Sequence, residues 1–132
     1  MSEDNSVAAR RWLASQEVGA CAISDWVVTE LASALSMKVR TGQIQPQEKA
    51  AALSFFQNRI IKTLEVRTVT RAHFLRSYEI LNIYAGNLRA ADALHLAIAE
   101  MAQSQFVSYD VQQAAAARFL GLSVLTPQLS KS

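Results

Sequence analysis

The sequence is poor in the residues that most often mark a site. Cys21 is the only cysteine among 132 residues. One thiol excludes an internal disulfide and any zinc centre built on cysteines. Two histidines, His73 and His95, stand apart. Their number and spacing do not make a zinc site either, and both read as structural or surface residues. With two prolines and four glycines there is no linker, repeat or low-complexity tract. Charge of one sign is also scarce. Thirteen basic and eleven acidic residues leave a net charge of +2. That falls short of the basic excess of a dedicated nucleic-acid binder, but allows an enzyme that touches RNA briefly and locally. Long apolar runs are missing, because Lys38, Arg59 and Lys62 interrupt the candidates for a bilayer span. The opening stretch "MSEDNSVAARRWLAS" has no apolar signal-peptide core. The expectation is a cytoplasmic protein without a membrane segment.

What is present is apolar side chain: 51% of residues are hydrophobic and 18% charged. That excludes a disordered chain and leaves room for one domain with one sizeable core. Residues 6–15 read as a short amphipathic helix with Gly19 beyond its end. "GACAIS" (19–24) reads as a buried strand, after which Ser24 can cap a helix from 25 to about 40, stopped by Gly42. A helix from Pro46 to about Arg59 follows, then a strand within "KTLEVRTVT". Thr70 can cap a helix that ends at Gly86. The run "LRAADALHLAIA" is the next helix. "QFVSY" reads as a strand, "VQQAAAARFLG" as a helix and "LSVLT" as a last strand. Alternating strands and helices imply a parallel sheet covered on both faces, with functional residues beyond the carboxyl ends of its strands.

Three acids merit weighing. Glu30 projects between Trp26, Ala34 and Met37, on the apolar side of its helix. A carboxylate there needs a cation, a proton or a water-filled cleft; a salt bridge or a reach to solvent serves equally. Asp92 lies in the first turn of an otherwise apolar helix, where the helix dipole alone would explain it. Asp110 directly follows the strand "QFVSY", a site position, yet it is also a good N-cap with Gln113 completing a capping box. Arg89 could contact a phosphate or simply face solvent. Phe74, Leu75, Tyr78 and Leu81 form a stripe that reads as core or dimer contact.

Taken together, "ISDWVVTELASAL", "LRAADALHLAIA" and "FVSYDVQQAAAARFLGLSVL" resemble the PIN-domain family, most closely its VapC-type toxins. The resemblance runs over nearly the whole chain. It implies a single domain over residues 1–132, an α/β three-layer fold with a parallel sheet flanked by helices. It also implies a metal-dependent ribonuclease of a toxin–antitoxin pair, holding Mg²⁺ or Mn²⁺ through Glu30, Asp92 and Asp110; Arg89, by its position before the Asp92 helix, is the candidate for contact with the substrate. Such proteins pair with themselves and with an antitoxin. Carboxylate oxygens suit these hard cations. The resemblance departs at the start, where the family has an apolar strand ending in aspartate. Asp4 follows only three residues, so the first acid is not transferred to it. The expectation is a chain truncated at its start, either by a misassigned start codon, which is favoured, or as a remnant, or with a sheet closed up or completed by a partner. A non-catalytic PIN scaffold that binds an antitoxin or dimerises is the alternative. A small helical DNA-binding regulator is opposed by the strand signals.

Overall fold

The computed structural model describes residues 3–128. The chain there forms α1 (Glu3–Ala14), β1 (Cys21–Ser24), α2 (Asp25–Arg40), α3 (Pro46–Phe55), β2 (Leu64–Arg67), α4 (Arg71–Ile83), α5 (Ala90–Met101), β3 (Phe106–Val107), α6 (Val111–Phe119) and β4 (Val124–Leu125). This is the element order expected from the sequence. Asp4 lies within α1, not at the end of a strand. The described strands make two parallel pairs, β1 with β2 and β3 with β4. No helix is long and apolar enough to cross a membrane among the described residues. Contacts divide the chain into two compact units, residues 16–68 and residues 1–15 with 69–132.

In the unit of residues 16–68, Cys21 pairs with Leu64 and Ser24 with Arg67, in strict parallel register. The Gly19 amide donates to the Thr63 carbonyl at 3.0 Å and extends this pairing backward. The strand is less buried than its composition suggests. Only Ser24 is fully covered, while Cys21, Ala22 and Ile23 are half-buried. Gly42 ends α2 with φ +75°, a left-handed conformation that a side chain resists. Pro46 stands in the first turn of α3, and the Gln45 amide donates to Glu48 Oε1 at 3.0 Å, closing the helix start. Lys49 Nζ donates to Ser36 Oγ at 2.8 Å and ties α3 to α2. The helix expected to reach Arg59 is regular only to Phe55. It widens to a π turn over Phe56–Ile60, then tightens to a 3₁₀ turn over Ile61–Thr63. The β-branched Ile60, Ile61 and Thr63 weaken a continued α-helix just before β2 begins.

The other unit holds the tighter core. Ile80 of α4, Ala93, Leu96 and Ala97 of α5, and Ala116 and Ala117 of α6 are fully buried together. Ala93 and Ala97 let α5 approach α4 closely, and the alanines of α6 join the same cluster around two large side chains, Ile80 and Leu96. α5 is covered almost all round, from Ala93 to Ala99 with only His95 half-buried. Leu96, on the side of α5 opposite the stripe of Leu94, Ala97, Ile98 and Met101, is wholly buried as well, so both sides of the helix are covered. The stripe of α4 is corrected. Phe74, Leu75, Tyr78 and Leu81 are exposed, Phe74 by 52% and Tyr78 by 69%. The core face of α4 is formed by Ser77 and Ile80. The stripe is therefore not core, and the dimer half of that expectation remains.

A bidentate ion pair fastens α4 to α5. Arg76 Nε and Nη2 donate to the two oxygens of Glu100 at 2.6 and 2.9 Å, and Nη1 donates to Glu79 at 3.0 Å. The side chains of Arg76 and Glu100 are about three-quarters covered, so solvent screens the pair incompletely. Both acids raise the Arg76 pKa. A raised basic group contributes its stability below its unfolded value and loses it only on passing the folded one. For an arginine both lie in strong alkali, so Arg76 adds no pH dependence near neutrality. Arg76→Ala is expected to cost about 1–3 kcal/mol in urea unfolding. Arg76→Lys keeps the charge, loses the fork and should recover less than half of that.

Candidate active site

Asp92 and Asp110 are built in the same way from different local sequences. Both stand at helix N-termini, where the first amides have no partner within the helix. Arg89 takes the N-cap position of α5 with an extended backbone, and Asp92 is the third residue inside. The Arg89 amide donates to Asp92 Oδ2 at 3.3 Å. The Asp92 side chain is half-buried, and Arg89 itself is exposed. Asp110 is the N-cap of α6. Its Oδ1 accepts from the amides of Gln112 at 2.9 Å and Gln113 at 3.2 Å. It follows β3 across Ser108 and Tyr109 and therefore stands beyond the carboxyl end of a parallel strand, as expected.

The capping box anticipated for Asp110 takes another form. The Gln113 side chain does not return to the Asp110 amide. That amide donates to Ser108 Oγ at 3.0 Å, and Ser108 Oγ donates to Gln113 Oε1 at 3.0 Å. Ser108 thus inserts itself between the two members of the box. It is buried and two residues before the acid, which makes it the best satisfier of that amide. The sequence signal for it is a serine two residues before a capping aspartate.

Glu30 lies in the unit of residues 16–68 and is half-buried on α2. It is not without a partner. Ser24, the residue before α2, has the extended N-cap backbone expected of it, but its side chain makes no cap bond. Its hydroxyl is buried without a hydrogen-bond partner among the described residues, as is the indole nitrogen of Trp26. The serine rotamer, which local sequence does not dictate, decides this. His73 is structural: the Thr70 amide donates to its Nδ1 at 2.9 Å, closing the N-terminus of α4. His95 is half-buried on α5.

The chemistry of the donors fits a hard divalent cation. Asp92 uses Oδ2 for its helix and Asp110 uses Oδ1, so each carboxylate keeps an oxygen beyond its cap bonds. Among the described residues, no group of three or more His, Cys, Asp or Glu side chains stands ready to hold a metal by itself. Magnesium bound through one or two carboxylates, waters and the substrate's own phosphates does not need such a group.

The sequence matches the PIN domain family profile over residues 2–119. No protein of curated function matches it. Among solved structures, FitAcB from Neisseria gonorrhoeae superposes with a TM-score of 0.74 at 16% identity, covering 92% of this chain and 85% of that one. FitAB bound to an IR36 DNA fragment superposes with a TM-score of 0.75 at 13% identity, covering 100% of this chain and 90% of that one. At these identities the likeness is one of fold.

Proposed function

The chain belongs to the PIN-domain family, a family of nucleases, and from that premise we propose that it is a metal-dependent endoribonuclease, the VapC-type toxin of a toxin–antitoxin pair. The observation that supports this most is the placing of Asp92 and Asp110. Each is held by backbone amides through one oxygen, with the other left over. A carboxylate fixed in this way costs little reorganisation when it takes up a cation. In this reading Asp92, Asp110 and Glu30 bind Mg²⁺ or Mn²⁺, directly or through water. When bound, the cation supplies an acidified water and neutralises charge on the scissile phosphate. The chain's own part is to orient: Asp92 and Asp110 keep their carboxylates fixed, and exposed Arg89 draws in an RNA phosphate. The test is cleavage of RNA by the purified chain with Mn²⁺ and with chelator. Hydrolysis that requires the metal is the expected result, and a folded chain inactive in both conditions would end the proposal.

A second reading has its own support. Both aspartates have a complete structural explanation as helix-terminus residues, and no three-ligand group is present among the described residues. A scaffold that only captures an antitoxin would look the same. Manganese binding separates the two, since only the enzyme requires it.

The likeness to FitAcB and FitAB supports an antitoxin as partner; a cytoplasmic setting for the pair is part of the same proposal. A second copy of the chain is the other partner, and the exposed stripe of α4 is the face that offers itself. Phe74, Tyr78 and Leu81 recur at helical spacing, and an uncovered apolar face of this kind marks an interaction surface. Tyr78→Glu is expected to convert a dimer to a monomer by light scattering. An unchanged molecular mass would remove α4 from the interface.

A further inference from the structure

The turn that carries Asp110 is held more firmly than a helix cap requires. Three residues, Ser108, Asp110 and Gln113, close a circuit of hydrogen bonds around it. The Asp110 amide donates to Ser108 Oγ, and Ser108 Oγ donates to the side-chain carbonyl of Gln113, each at 3.0 Å. The Gln113 amide then donates back to Asp110 Oδ1 at 3.2 Å. Because Ser108 Oγ accepts from one neighbour and donates to the other, its proton has one direction. The turn is also pinned to the chain beyond β4. Thr126 Oγ1 donates to the Ser108 carbonyl at 2.8 Å, and the Tyr109 hydroxyl donates to the Pro127 carbonyl at 2.6 Å. The Ser108 amide completes the set by donating to the Leu125 carbonyl at 3.1 Å.

An ordinary cap needs only the two bonds from Gln112 and Gln113. The additional bonds fix the backbone before the acid and the side chain after it. Together they leave Asp110 with one carboxylate direction. We infer that Ser108 and Gln113 are positioning residues, which orient the Asp110 carboxylate for the nuclease reaction without touching the substrate. The inference rests on the nuclease reading. Gln113 is the more telling member. It lies on α6 and is half-buried, and its side-chain carbonyl takes the Ser108 proton that would otherwise be free to turn.

The test compares Ser108→Ala, Gln113→Met and Ser108→Thr with the unaltered chain. The first two remove a link of the circuit, while threonine keeps the hydroxyl. Gln113→Met preserves length and helix propensity, which guards against a serine variant that fails to fold. The expected result is a loss of about tenfold in kcat for Ser108→Ala and Gln113→Met, with KM changed by less than about twofold. Ser108→Thr should restore the rate. Hydrogen exchange of the Asp110, Gln112 and Gln113 amides should accelerate in the two impaired variants and not elsewhere. An unchanged kcat beside accelerated exchange would make the circuit merely structural and overturn the inference, leaving the nuclease intact. An unaltered chain that cleaves no RNA would overturn both, and that outcome is read before any variant is compared.

Discussion

Asp92→Asn is expected to reduce metal-dependent RNA cleavage by at least about a hundredfold while leaving the fold intact. The substitution is informative because asparagine keeps the one contact that the structure gives this residue. Its side-chain oxygen can still accept from the Arg89 amide, so the start of α5 remains closed. What is lost is the negative charge. At a helix N-terminus that charge contributes about 0.3–1 kcal/mol, which lowers the melting temperature by only a few degrees. As a ligand for a divalent cation the same charge is indispensable, because a neutral amide oxygen binds a hard cation far less well. The two roles of Asp92 therefore differ in the ratio of their effects. A small loss of stability with a collapse of cleavage marks a ligand. The same small loss with cleavage unchanged marks a cap and nothing more. Manganese affinity measured on the same samples should fall with cleavage.

Leu96→Ala should be among the most damaging single changes to stability. Leu96 is wholly buried in a core whose other fully buried members are Ile80 and four alanines, with larger side chains only at its partly buried edge. Alanine side chains have no rotamers with which to fill a void, so the helices would have to move to close it. α4 and α5 are held by the Arg76–Glu100 pair, which resists that movement. A truncation at a site that cannot collapse falls at the upper end of the usual range, about 3–5 kcal/mol. For a chain of this size that corresponds to a fall in melting temperature of roughly 10–20 °C. Leu96→Met nearly conserves volume and should cost less than about 1.5 kcal/mol. Calorimetry on both variants checks the argument. Equal losses would show that the shape of leucine, not the volume it fills, sets the cost.

The helices were legible because their signals are local. Gly42, Pro46, Thr70 and Asp110 stand at element ends, where cap chemistry and backbone restriction act over a few residues. Their positions were read correctly, as was the order of strands and helices. The site was legible only in part. Asp110 could be assigned beyond a strand from the sequence, but the insertion of Ser108 into its capping box depends on a buried side chain meeting one five residues later. The ligand roles of Glu30, Asp92 and Asp110 came from family likeness, since each acid has a structural explanation of its own.

The sequence by itself determined the identity and order of the elements, because periodicity, caps and breakers are properties of neighbouring residues, and its likeness to known sequences determined the family. Only the tertiary structure decided which faces are covered. α4 presents two apolar rows, and the sequence cannot distinguish them. Burial went to Ile80 and left Phe74 and Tyr78 in water. α5 has an apolar stripe and an apolar opposite side, and tertiary packing covered both. The partner of Arg76 is 24 residues away on another helix, a distance over which no local rule acts. Burial and ion pairing depend on what the chain brings back from afar, and that is fixed only when the helices meet.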